Sequence, residues 1–515
     1  MLDRRGVLRA GAYASAAGLV TALTGHDNAG AAPHGPSAPT PQPAVNPNWQ
    51  QLEKALQSGS KLYLPKAQNF PALARPWNLR YEDRKPMGIV SCASAQDVRT
   101  ALLWAKENGM PLAPRAGGHN YAGYSTTTGL LISVRPMSQV TALDGNRLRI
   151  GGGATNGDVA KAGAGAGGTN LYVPGGRCVG VGIAGLTLGG GLGFNDRKWG
   201  LTCDNLVETE IVLADGSIVR ANRDTEADLF WACRGGAGGN FGINTSFLFD
   251  AVDVSRRTAT VFHFTFGPGS GEEIMKIVQE MLADDRGNDL DIRIEFENPG
   301  TGPHDVNVAV LGQYLGGDSA VRRRLDPLLR LRPAEQSIEQ LGFWTAQEKL
   351  SMVSEHETVA SKSLVPHTWL PSTTVKEIVD WTLKWKPYRR GNSGYVTLFA
   401  MGGKAGAPSA DATAFPHRDG KFVIDVGTSW TDGTTHDEVQ RLLAQTRGIH
   451  GRLSEVLKTN AAYVNFPDPD LTDWQTAYYG SNYGRLRKIK TRNDPHRIFR
   501  YGQGIEPLDH SEAGS

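Results

Sequence analysis

The feature that most limits how this chain can fold is the placement of its glycines. There are 63 in 515 residues, and they concentrate between about residue 115 and residue 242. Collagen needs glycine at every third position, and no such period or other internal repeat is present. Clustered glycines instead permit positive φ and close approach of the backbone to another surface. They predict loops that close on something large and flat, or phosphorylated.

A chain of this length exceeds one compact core, so two or three domains are expected. Hydrophobic residues at 40% and charged residues at 21% fit a soluble globular protein. The formal net charge of +2 provides no broad basic surface, so no nucleic acid is expected as a partner. Cys92, Cys178, Cys203 and Cys233 show no C-x-x-C spacing, so no metal site is expected. Disulfides among Cys92, Cys203 and Cys233 stay open if the protein is exported.

The amino-terminal stretch MLDRRGVLR carries paired Arg4 and Arg5, then a weakly apolar run over 10–23 and a small-residue cleavage pattern at 29–31. Residues 1–31 read as a Tat-type signal peptide and imply a secreted or extracytoplasmic protein. A Sec signal or an anchor is the alternative, although the run is too short and too rich in Gly, Ser and Thr for stable membrane insertion. Residues 32–50 form a Pro-rich linker.

Hydrophobic periodicity and capping residues predict an α+β chain. Strands are expected at 111–114, 130–134, 147–150, 206–213 and 217–220, with helices at 50–58, 94–109, 156–166 and from 228. From about residue 255 the glycine background thins. Strands at 261–266, 291–297, 306–314, 395–401 and 422–429 alternate with helices at 271–283, 318–325, 373–384 and 436–457. Pro327 is expected to end the third-last of those helices, and a last helix spans 478–490.

Two constellations carry the chemistry. The first, PRAGGHNYAGYS over 114–125, places His119 after two glycines. Its amides can form an anion-binding nest with the histidine projecting onto a ligand, or the histidine is simply satisfied within a turn. The second, PGGRCVGVGIAGLTLGGGLG over 174–193, contains Cys178. It lacks the strand–turn–helix frame of the Rossmann fingerprint and the G-K-[ST] of a P-loop. Its cysteine is either a reactive thiol or a small buried hydrophobe.

Together with DLFW at 228–231, RGGAGGNFG at 234–242, FPHR at 415–418, and Gly480, Asn482, Arg485, Asp494 and Gln503 in the last segment, these motifs resemble the berberine bridge enzyme-like branch of the vanillyl-alcohol oxidase/PCMH flavoproteins. The resemblance implies a PCMH-type FAD-binding domain of two subdomains over 51–255. A substrate-binding domain over 256–460 would hold an antiparallel sheet covered by helices, and the segment 461–508 would return to the FAD domain. It further implies FAD held by two covalent bonds, His119 to the 8α-methyl carbon and Cys178 to C6. Arg115, Gly117, Gly118, Asn120, Ser125, Gly182, Ile183, Gly185, Leu186, Gly190, Gly242, Ile243, Tyr463, Asn465 and Asn482 are the further cofactor-binding candidates. Val181 aligns with a position near the oxygen pocket, where a small side chain accompanies oxidase activity.

The implied reaction oxidises a small-molecule alcohol, a carbohydrate or secondary metabolite, and uses O₂ to give H₂O₂. A dehydrogenase with another acceptor and a non-catalytic flavin-binding protein are the alternatives. The protein is expected to be a monomer or homodimer. Removing the hydroxyl proton needs a base, and here the chain departs from its relatives. Phe466 stands in YVNFPD where a tyrosine is usual, and Leu192 replaces a second tyrosine. The usual carboxylate position aligns with Ile424, next to Asp425. Neighbours on a strand face opposite ways, so Asp425 is expected to serve only if a bulge shifts the register. Tyr463, Asp425, Tyr124 and Tyr395 are the candidate bases. His417 and Arg418, and Trp344, Trp369 and Trp430, are read as structural.

Overall fold

The computed structural model describes residues 47–509, except 166, 303, 304 and 354. The signal reading and most of the linker lie outside them. The first helix, Trp49–Ala55, starts slightly before the end of the expected linker, and Asn48 caps it by accepting from the Gln51 amide at 3.1 Å.

Two sheets build the amino-terminal half. A four-stranded sheet is ordered Lys61–Tyr63, Gly88–Ser91, Leu130–Ser133 and Leu112–Arg115, parallel except for its first strand. The helix Ala95–Glu107, capped by Ser94, buries Val98, Ala101 and Leu102 against it. A five-stranded antiparallel sheet follows, ordered Val140–Leu143, Arg147–Gly151, Gly242–Asp250, Leu206–Leu213 and Ile218–Asn222. Asp215 and Gly216 turn its predicted hairpin, with Gly216 at φ 88°.

A seven-stranded antiparallel sheet occupies the middle of the chain. Its spatial order is Glu335–Gly342, Thr258–Phe266, Asn307–Tyr314, Leu290–Asn298, Ser393–Ala400, Phe422–Ser429 and Val359–Leu364. One face is apolar: Phe262, Phe264, Ile292, Ile294, Phe296, Val396, Leu398, Ile424 and Val426 pack against four helices, Gly271–Ala283, Asp318–Arg330, Ser372–Lys384 and His436–Leu457. The opposite face carries His263, Arg293, Glu295, Tyr395, Thr397 and Asp425, by strand alternation and the observed register.

Three local expectations need correction. The helix from Asp318 continues to Arg330 with Pro327 inside it. Proline forfeits the bond to the Arg323 carbonyl, but that residue is exposed to water, and burial of Leu328 holds the last turn on the core. The final helix is divided: Trp474–Tyr479 ends where Gly480 adopts φ 50°, and a second helix runs Tyr483–Asn493. The strands Glu335–Gly342 and Val359–Leu364 were not anticipated. The first is a polar edge strand and lacks the apolar alternation that marks a half-buried one.

Buried polar contacts join the glycine loops to the large sheet. Arg197 donates to the carbonyls of Leu290 and Met401 at 2.9 and 2.7 Å, and the Gln313 amide donates to Phe194 O at 2.8 Å. Arg418 holds Asp204 in a two-pronged pair at 2.7 and 2.8 Å. The carboxy-terminal segment returns to the first half, where Ala477, Tyr478, Tyr479, Leu486 and Ile489 share a core with Ile211, Phe230 and Phe247. Among the described residues, no helix is long and apolar enough to cross a membrane, and all four cysteines are free.

Candidate active site

The strand Leu112–Arg115 delivers the chain into the His119 loop. Buried Arg115 pins that loop, donating from Nε to Ser125 O at 2.8 Å and from Nη1 to Leu73 O at 2.8 Å. Asn120 folds its own turn by accepting from the amides of Ala122 and Tyr124 at 3.0 and 2.9 Å. Ser125 Oγ donates to Gly118 O at 3.2 Å.

The Cys178 loop is held from the other side. Asn156 Nδ2 donates to Cys178 O at 3.0 Å, and the Val179 amide donates to Met352 O at 3.1 Å. The loop then enters a short helix, Ile183–Leu188, whose first amide donates to Ala154 O at 2.8 Å. The two glycine loops meet at Gly117 and Gly182. A Cβ on Gly117 would lie 2.3 Å from the Gly182 nitrogen, and one on Gly182 would lie 2.4 Å from the Gly117 nitrogen. Only glycine at both positions lets the loops close. His119 and Cys178 both remain half-buried.

Aromatic rings link the His119 loop to the carboxy-terminal segment and the large sheet. Trp77 stacks on His119 with centroids 4.8 Å apart and on Tyr121 at 5.3 Å. Tyr121 stacks on Phe466, which also meets Phe399 of the large sheet at 5.7 Å. Trp77 itself is fixed by backbone bonds to Gly118 O and from the Glu357 amide. The polar face of the sheet completes the site. Asp425 is 5% exposed and accepts from Ser361 Oγ at 2.5 Å. Ser361 and Tyr121 line one small recess.

These surroundings shift the titrating groups. Burial, aided by His356, lowers His119 to about 4, so its imidazole is neutral near pH 7. Burial raises Asp425 to about 7, although Ser361 and Arg293 act in the opposite direction. Burial and Glu355 raise Glu357 to about 7. Burial raises the Cys178 thiol, while Arg177 and Arg293 favour its anion. The Tyr121 phenol is pushed well above its ordinary value, first by burial and then by Asp425.

The expected carboxylate alignment is corrected by the register. Asp425 pairs with Ser363 and Thr397 without a shift along either neighbouring strand, so it reaches the polar face with no bulge. Ile424 points into the helix-covered core. Tyr463 is 1% exposed, and its hydroxyl accepts from the Gly191 amide at 2.9 Å and from Asn465 Nδ2 at 3.1 Å. Asn465 also donates to Leu186 O at 2.9 Å. These two residues pin the carboxy-terminal segment to the glycine loop, and burial holds the Tyr463 phenol in its neutral form. Gly190, at φ 124°, lies in contact range of Tyr463.

Tyr124 packs at a tilt against Tyr501, with centroids 4.8 Å apart. Tyr395 lies on the same polar sheet face as Asp425, and its ring lies over its register partner Gly427. Asn482 spends its amide on the carbonyls of Ala410 and Thr413 at 2.8 and 3.2 Å. Gly242 and Ile243 are strand residues paired with Leu213 and Val212. Gly185 faces open space. Leu192 is buried beside Phe415 and Tyr463. His417 Nε2 donates to Ala477 O at 2.9 Å, and Trp369 packs on Phe422, in keeping with structural roles. Trp77, Tyr121, Arg177, Arg293 and Glu357 were not singled out from the sequence. A signal existed only for Tyr121, two residues after His119, and Arg177, next to Cys178.

The donor set suits a large redox cofactor: a neutral imidazole and a thiol on adjoining glycine loops, walled by aromatic rings. The comparisons agree. The model for the FAD binding domain matches residues 86–222, and the berberine and berberine like model matches residues 462–506. An uncharacterized FAD-linked oxidoreductase of Bacillus subtilis is 34% identical over 444 residues, spanning 83% of this chain and 93% of its own. Xylooligosaccharide oxidase of Thermothelomyces thermophilus is 29% identical over 488 residues, spanning 85% and 90%. The crystal structure of an Acremonium strictum glucooligosaccharide oxidase, described as revealing a novel flavinylation, aligns with a TM-score of 0.80 at 25% identity, covering 91% of this chain and all of that one. Fold and site together define an FAD-linked oxidoreductase. The chain belongs to the berberine bridge enzyme-like family.

Proposed function

We propose that this protein is an exported oxidase that removes hydride from an alcohol carbon, with FAD attached through both His119 and Cys178. The observation that carries the reading is the contact between Gly117 and Gly182, which brings the loops bearing these two half-buried side chains together. The named relatives among carbohydrate oxidases, and the flavinylation reported for the Acremonium enzyme, support it. The paired arginines at the amino terminus support export.

FAD held by the loops of His119 and Cys178 would supply a hydride acceptor that O₂ could reoxidise to give H₂O₂. The protein's own groups supply the rest. His119, neutral because burial lowers it to about 4, has a lone pair available for bond formation. Asp425, raised to about 7, is poised to take the hydroxyl proton of the substrate near neutral pH. Ser361 orients that carboxylate. Tyr121, kept protonated by burial, donates a hydrogen bond to the substrate oxygen. Phe466 and Trp77 fix its ring from either side.

Anaerobic mixing with a panel of sugars and benzylic alcohols tests the reading. The flavin absorbance bleaches with at least one alcohol, and readmitted air restores it with stoichiometric peroxide. A flavin that stays oxidised with every alcohol overturns the oxidase assignment. Reoxidation by an added dye but not by air selects a dehydrogenase.

A further inference from the structure

Two arginines beside Cys178 have more positive charge than the surrounding groups neutralise. Arg177 precedes Cys178 on the glycine loop, and Arg293 comes from the strand Leu290–Asn298 of the large sheet. Both hydrogen-bond the Met352 sulfur. The Arg177 guanidinium lies over Phe194 at 6.0 Å and that of Arg293 over Phe399 at 5.2 Å. Both Nε atoms are buried without a hydrogen-bond partner among the described residues.

Glu295 pairs with Arg293 at 2.5 Å, and no carboxylate pairs with Arg177 among the described residues. The nearby Asp425 and Glu357, both raised to about 7, are at most partial counter-charges near neutral pH, and neither is hydrogen-bonded to either arginine among the described residues. Cys178 would have no charge once joined to a flavin as a thioether. Two positive groups then face one firm negative group, and the guanidinium pair repels itself: burial and Arg293 lower Arg177 to about 9. An enclosed, uncompensated guanidinium is costly until an anion reaches it. A planar fork with free N–H donors, stacked on aromatic rings, matches a carboxylate.

We infer that Arg177 and Arg293 form a carboxylate-binding subsite beside Cys178, so that the alcohol oxidised here carries a carboxylate group. This inference rests on the oxidase reading above and narrows its substrate class to hydroxy acids such as sugar acids or aryl acids. The single excess charge fits a monocarboxylate.

The test compares matched pairs on the flavin-loaded protein: D-galacturonate against D-galactose, and 4-(hydroxymethyl)benzoate against its amide. Benzoate and benzamide serve as non-reacting probes, followed by calorimetry. One charge-assisted contact predicts about a tenfold or greater kcat/KM advantage for the acid member of the preferred pair. Benzoate binds and competes with substrate, whereas benzamide does neither. In Arg177→Met the acid-to-neutral ratio falls toward one and benzoate binding is lost, and Arg177→Lys recovers part of both. If Arg177→Met does not fold, Arg293→Met is read in the same way.

Neutral members that react as well as the acids overturn the inference. So does an unchanged ratio in Arg177→Met accompanied by a lowered flavin potential, which would assign the arginines to the cofactor. If benzoate binds in an Arg177-dependent manner while no alcohol bleaches the flavin, the subsite stands and the oxidase reading fails.

Discussion

Tyr121 lies parallel to Phe466, with ring centroids 5.4 Å apart and 3° between the planes. The carboxy-terminal segment thus presents a hydrocarbon ring, and the His119 loop presents a phenol against it. Arg293 and Asp425 from the sheet both act on that phenol. Under the proposed function, the acid–base groups come from the His119 loop and the large sheet, through Tyr121 and Asp425.

Replacing the proposed base, Asp425, tests this arrangement. Asp425→Asn is expected to lower kcat by about 10²–10⁴-fold. Wild-type kcat rises with pH as Asp425 loses its proton through about 7, and the variant loses that limb. Tyr121→Phe lowers kcat/KM by about tenfold, from one lost hydrogen bond to a charged group. A pH–rate profile of each protein reads both effects.

Asp425 also links stability to pH. Burial raises its folded value from 3.8 to about 7, so the folded chain binds a proton that the unfolded chain has released across that window. Its contribution to stability therefore falls as pH rises from about 4 to about 7. Asp425→Asn removes this dependence, and its Tm declines less than wild type between about pH 5 and about pH 8. Thermal scans across that range give the comparison.

Attachment is tested on denaturing gels. Either His119→Ala or Cys178→Ala keeps fluorescent flavin on the denatured chain through the remaining bond, and the double variant releases it. Loss of flavin from the denatured wild type overturns the double link.

The contact between the glycine loops admits no side chain. Gly117→Ala places a Cβ 2.3 Å from the Gly182 nitrogen, against backbone that cannot rotate away. Flavin content, measured as the ratio of flavin to protein absorbance, falls sharply, while Gly185→Ala, which meets nothing within 4 Å, has a much smaller effect.

The pair Arg418–Asp204 is largely buried, with side chains 3% and 14% exposed. Arg418→Met leaves an uncompensated carboxylate and costs about 3–5 kcal/mol in urea unfolding. Adding Asp204→Asn recovers part of that loss.

The sequence alone determined whatever depends on neighbours along the chain. The helices Gly271–Ala283 and His436–Leu457, the second capped by Thr435, and the apolar strand Phe422–Ser429 occur with the expected bounds. The glycine clusters marked the loops of His119 and Cys178 because close backbone approach tolerates little else. What depends on register and long-range packing was decided only by the tertiary structure. Asp425 reaches the polar face because its strand pairs in regular register between two neighbours, and no local pattern specifies that pairing. Trp77, Tyr121, Arg293 and Phe466 lie far apart in sequence and meet because two sheets and a returning carboxy-terminal segment converge there. Pro327 stays within a helix because Leu328 is buried, where local chemistry alone would have ended it. The glycine clustering thus located the loops of His119 and Cys178, and packing across the sheet determined which side chains face them.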